Sequence, residues 1–107
     1  MEPQARIDAF SLAAHRLLMR RLHEDPASIV RAIETLQRWR QRAGGTAHCA
    51  PYWDEWERLL RAGAEAVEHA VCSNSDHAAT LRSVSPLGGL LPATDRLRLL
   101  RQAGDAT

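Results

Sequence analysis

Lysine is absent from this 107-residue chain: all 14 basic residues other than the five histidines are arginine. The absence excludes a phosphate loop of the P-loop type, which needs a lysine after its glycines, and neither Gly44-Gly45 nor Gly88-Gly89 follows a strand. An all-arginine set is what a GC-rich coding bias produces; it also supplies planar forks of donors that suit interfaces and phosphate sites. Only two cysteines occur, and no apolar run approaches the ~18 residues of a membrane-spanning helix. The start, Met1 to Ala9, carries charges throughout, unlike a secretory signal. The expected location is therefore the cytoplasm, without membrane association, and Cys49 and Cys72 are expected as reduced thiols. Alternating runs of β-branched residues are missing too, as are Asn-Gly and Asp-Gly turns, so no strand is expected.

What is present is an ordinary globular composition, 45% hydrophobic and 25% charged, which argues against wholesale disorder. The length fits one domain over residues 1–107 with a single core. A net charge of +1 gives no overall field for nucleic acid or anionic membrane. The charges are nevertheless unevenly spread. Residues 1–45 carry eight Arg against five acids, 46–80 carry two against six, and 81–107 carry four against two. An acidic middle between basic flanks suits helices that attract one another within a bundle.

The apolar spacing predicts helices almost throughout. Ile7, Phe10, Ala14, Leu17, Leu18 and Leu22 share one face of a helix over 5–23. Asp25 is the natural cap of a second helix over 26–42 that buries Ile29, Ile33, Leu36 and Trp39 and ends at Gly44-Gly45. Pro51 opens a third, with the strongest period in the chain: Trp53, Trp56, Leu60, Gly63, Val67 and Ala70 form a seam, with Leu59 and Val71 alongside. Gly63 on that seam marks either a close helix approach or a break, and the break is the favoured reading. Ser73-Asn74-Ser75-Asp76 reads as a capping box for a short helix to about Val84. An apolar loop over 85–92 follows, then a last helix from Pro92 through Leu97 and Leu100 to about Gln102, with residues 103–107 expected to fray. The fold class is thus all-α, a compact bundle of four to five helices.

Candidate chemistry is sparse. His48, Cys49, His69 and Cys72 are residue types that zinc accepts, but the ends of a straight third helix lie ~30 Å apart and the spacing fits no zinc motif, so no metal site is expected. His48 beside Cys49 lacks any flanking signature of a nucleophile, and no catalytic residue or cofactor is assigned. The remaining histidines are expected to be solvated or locally hydrogen-bonded. Arg16 and Arg20 on the first helix, and Arg31, Arg38 and Arg42 on the second, could neutralise phosphates, with Glu34 interrupting the second stripe. Weak DNA binding by a regulator is thus one alternative. A homodimer through the seam of the third helix is another.

Protein binding is the preferred reading. Trp39, Tyr52, Trp53 and Trp56 surround one helix junction beside Arg38 and Arg42, and Trp, Tyr and Arg are the types that most often anchor interfaces. Trp53 and Trp56 serve equally well as core. Arg82, Ser85, Leu87 and Leu90 belong to a second candidate surface, at the 85–92 loop, whose leucines either plug the bundle or offer an apolar patch.

The runs Ser11-Leu12-Ala13-Ala14-His15-Arg16, Asp25-Pro26, Arg38-Trp39, Trp56-Glu57-Arg58-Leu59-Leu60, and Leu81-Arg82 with Ser85-Pro86-Leu87, Gly89 and Leu91 together resemble a class of small all-helical bacterial proteins. Members of that class look like antitoxins encoded beside a toxin enzyme of nucleotidyltransferase-like or zeta-kinase-like type. The resemblance implies a cognate toxin as partner. It also implies a mechanism of occlusion, in which a preformed helical surface covers the toxin's cleft and arginines pair with acidic groups there.

Overall fold

Six α-helices account for most of the chain in the computed structural model, which describes residues 3–43 and 48–105. They are α1 (Pro3–Glu24), α2 (Ala27–Ala43), α3 (Ala50–Ala62), α4 (Ala64–Val71), α5 (Asp76–Ser83) and α6 (Ala93–Asp105), with a 3-10 turn at Gly88–Leu90. No strand occurs among the described residues. The sixth helix, one more than the sequence suggested, arises at Gly63, whose φ of 121° and ψ of 172° lie in a region that side chains other than glycine's avoid. Its N–H still closes α3 on the Leu59 carbonyl, and its carbonyl accepts from Val67 in α4. A methyl group placed on Gly63 would meet nothing within 4 Å, so the position needs glycine for its backbone angle and not for close packing.

Corners between helices are closed by local bonds. Asp25 Oδ1 accepts from the Ala27 amide at 3.1 Å, the capping role its position suggested. The Ser28 hydroxyl is wholly buried there and donates to the Asp25 carbonyl at 2.6 Å, which ties the end of α1 to the start of α2. At α5 the cap is Ser75, not Ser73: its hydroxyl accepts from the Ala78 amide at 3.0 Å, while Ser73 Oγ contacts Ser75 Oγ and no amide of the first turn. Only Ser75 stands three residues before that amide in the extended conformation a cap requires. Pro92 gives its carbonyl to Arg96, so α6 starts one residue later than expected and runs to Asp105. The glycine stop after α2 falls in 44–47, outside the described residues.

Helix α1 is the hub, touching α2, α4, α5 and α6, while α3 lies against α2 and α4. Its buried face is Ala14, Leu18, Met19 and Leu22, joined in one core by Leu36, Trp56, Leu60, Val67, Val71, Leu81, Leu87 and Leu99. Ile7, expected on that face, is 58% exposed; on α6, Leu99 is buried while Leu97 and Leu100 are exposed. Leu97 and Leu100 stand two residues before and one after Leu99, so the helical turn carries them off its buried side. The Gly63 corner yields a direct expectation: Gly63→Ala destabilises the protein by ~1–3 kcal/mol. Urea unfolding measures this, and an unchanged midpoint would show that α3 and α4 can join without the positive φ.

Candidate functional site

The structure brings two separately predicted surfaces to one place. Arg31, Glu34, Thr35 and Arg38 on one face of α2 meet Pro86, Gly89 and Leu90 of the 85–92 loop around a groove of about 290 Å³. Arg38 and Leu90 were predicted to contribute to binding on independent grounds, and only the tertiary fold makes them neighbours. The loop holds its shape through the Ser85 hydroxyl, which accepts from the Leu87 amide at 3.1 Å, and through the Leu90 amide, which donates to the Leu87 carbonyl. Leu87 itself is wholly buried and pins the loop to the core, leaving half-buried Leu90 at the groove. On the other wall, Arg38 donates to Thr35 Oγ1 at 3.0 Å, and Arg31 pairs with Asp25 at 3.0 Å. Arg38 and Arg42 remain exposed.

Behind this face, α2 is latched to α3. Arg40 bonds Glu57 and reaches Asp54 at 2.8 Å, while Arg61 holds the other Glu57 oxygen at 3.1 Å. Bonds from Arg40 first, and then from Arg61, hold the Glu57 carboxyl below its ordinary range. Trp39 and Trp53 stack at a tilt with ring centroids 5.9 Å apart, both half-buried at this seam. Tyr52 instead lies against His77 of α5, whose Nε2 meets Glu55 at 2.8 Å, and does not line the groove.

Beneath the surface runs a layer of buried polar side chains. Trp56 is fully buried and donates its indole N–H to the Leu81 carbonyl at 2.9 Å. The His15 ring lies 6.3 Å from that of Trp56, with Nδ1 2.7 Å from the Ser11 carbonyl. Because a carbonyl only accepts, Nδ1 carries the proton. Arg82 is also buried, and its Nη1 donates to the carbonyls of Val71 at 2.7 Å and Ser73 at 3.0 Å. Val71 ends α4, so the guanidinium sits where the helix dipole places negative charge. No carboxylate pairs with it among the described residues. His15 Nε2 and Arg82 Nε, both buried, have no hydrogen-bond partner among the described residues.

The predicted anchors therefore separate into two sets. Trp56, Leu87 and Arg82 belong to the interior; Trp56 and Leu87 have no exposed surface and so cannot themselves touch a partner. Arg38, Arg42 and Leu90 retain surface on the α2 and loop face, Trp39 and Trp53 at the α2–α3 seam behind it, and Ser85 on the side of the loop toward α1. Of the histidines, His15 makes the expected local bond, to the Ser11 carbonyl, but is interior and not solvated, whereas His23 and His77 depart from the local picture by bridging helices through Glu68 and Glu55. The sequence did carry a signal for His15, which stands three and seven residues before Leu18 and Leu22 on the buried face of α1. Cys49 and Cys72 are free thiols, burial raises the pKa of Cys72, and no group of three His, Cys, Asp or Glu side chains among the described residues could hold a metal ion. No described helix is long and apolar enough to cross a membrane. Compared with protein-family models, curated proteins and solved structures, the chain matches none.

Burial holds the His15 pKa below its ordinary 6.5; the bond to the Ser11 carbonyl opposes this, and the nearby Arg82 cation adds to the lowering. With a folded pKa below the unfolded one, the unfolded chain takes up its proton first as pH falls. Stability linked to neutral His15 is therefore complete above 6.5 and is lost as pH drops through the lowered folded value. Between about pH 7 and pH 5 the urea midpoint of the native protein should fall more steeply than that of His15→Leu. Parallel slopes would remove His15 as the source.

Proposed function

We propose that the chain is a non-enzymatic protein-binding module, a cytoplasmic bacterial antitoxin that neutralises a toxin enzyme encoded beside it by covering the toxin's active site. The observation that carries this reading is the meeting of the α2 arginines with the 85–92 loop around one groove. The face combines exposed Arg38 and Arg42 with half-buried Leu90, and the half-buried Trp39–Trp53 pair lies at the α2–α3 seam behind it. That is the pattern of an interface with apolar anchors inside an arginine-bearing rim.

Its occupant is a segment carrying acidic side chains, because Arg31 is already paired with Asp25 and the remaining Arg38 and Arg42 outnumber the single acid, Glu34, along this face of α2. A nucleotidyltransferase-like or kinase-like toxin presents such carboxylates around its cleft, where they would otherwise hold metal and nucleotide. Arginine forks pair with carboxylates bidentately, and covering the cleft denies it substrate without any chemistry by the antitoxin. Preformed helices keep the ordering cost of binding low.

Co-expression tests the reading. The neighbouring gene product should arrest growth alone, be harmless with this chain, and copurify with it. Arg38→Glu combined with Arg42→Glu should weaken the complex by ~100-fold or more and restore toxicity while leaving the thermal midpoint of the isolated chain nearly unchanged, since both side chains are exposed. A harmless neighbour, or a complex indifferent to the double variant, would overturn the assignment of partner and face respectively.

A further inference from the structure

The 85–92 loop borders a second groove, of about 210 Å³, against α1. Ile7, Phe10, Leu18 and Leu91 give it apolar lining, and Ile7 is left 58% exposed there. Arg82, Arg96, His15 and the hydroxyl-bearing Ser11, Ser83 and Ser85 give it polar lining, with Ser11 and His15 on the same stripe of α1 as Ile7 and Leu18. No acidic side chain lines the groove among the described residues. Arg96 is exposed at the rim, held by a 3.0 Å bond from Nη2 to the Gly88 carbonyl, which leaves its other donors free to turn inward.

Two of the lining side chains are more than nine-tenths buried and incompletely satisfied. Arg82, 8% exposed, keeps Nε without a partner, and its full charge is opposed only by carbonyl dipoles among the described residues. His15, 6% exposed, keeps Nε2 without one. A buried cation with no counter-charge is costly, and an anion brought alongside it in a place of low dielectric recovers much of that cost. The groove is smaller than the ~300–1,000 Å³ sites of drug-sized ligands, so its occupant is a fragment-sized molecule.

We propose that this groove binds a small monocarboxylate with an apolar body: the carboxylate lies between Arg96 and Ser85 above the Arg82 charge, and the apolar body lies against Ile7, Phe10 and Leu91. The site shares no lining residue with the proposed toxin-binding groove, although both border the 85–92 loop. Arg96 supplies direct bonds at the rim, while Arg82, its Nη1 already bound to two carbonyls, attracts from the floor.

Nuclear magnetic resonance titration of the full chain with hexanoate, hexanol and hexylammonium tests the charge and the body separately. Hexanoate should give saturable shifts at Ile7, Phe10, Ser85 and Arg96, hexanol should bind about tenfold more weakly, and hexylammonium more weakly still. Arg96→Gln should weaken hexanoate about fivefold and leave hexanol unchanged, and Ile7→Glu should weaken hexanoate more than hexanol. Equal affinity for hexanoate and hexanol, shifts that map elsewhere, or an equal loss of both ligands in Arg96→Gln would overturn the proposal.

Discussion

The bond from the Trp56 indole N–H to the Leu81 carbonyl fixes more of this molecule than any other single contact. It joins α3 to α5 across 25 residues of sequence, inside a core with no water-exposed alternative for either group. The Leu81 carbonyl also accepts from the Val84 amide at 3.2 Å, so the group at stake is the buried indole N–H, which would cost ~1–3 kcal/mol if left unpaired and so holds α3 against α5. His15 stacks beside the indole from α1, and Arg82, the residue after Leu81, ties α5 back to the end of α4 through the Val71 and Ser73 carbonyls. Four helices thus converge on one polar layer, and the apolar core packs above and below it.

That layer decides where the surfaces lie. Arg82 turns inward, and the chain leaves α5 into the 85–92 loop already anchored; buried Leu87 adds a second anchor, and only then does the loop reach the face of α2 with Leu90. The same path leaves a groove on the α1 side, where the polar layer comes nearest the surface. One loop, fixed twice from within, therefore shapes both grooves. Their chemistry differs because α2 presents arginine and a glutamate, whereas α1 presents apolar side chains and a buried histidine.

Much of the architecture was legible in the sequence because it rests on local rules. Apolar periodicity, Asp25 before Pro26, and Gly63 within a strong seam each specify structure through neighbours a turn away. What stayed hidden depended on long-range pairing. Ser75 displaced Ser73 as the cap because the backbone angle, not the residue type, selects between two serines. Ile7 obeyed the helical period, yet no described helix covers it. Trp56 and Trp53 lie three apart on one seam, and only the position of α5 sends one into the core and leaves the other beside Trp39. Of the candidate binding residues, the set was readable from type, but the meeting of Arg38 with Leu90 was not, since nothing local relates residues so far apart.

If the polar layer is the keystone, the Trp56 indole proton can exchange with solvent only when the whole molecule unfolds. Hydrogen exchange followed by nuclear magnetic resonance on the three tryptophan indoles measures this directly. The predicted result is a Trp56 opening free energy equal to that of global unfolding, with Trp39 and Trp53 exchanging through smaller local openings. A Trp56 indole that exchanges as readily as its two half-buried neighbours would contradict the layer's role in holding the helices together.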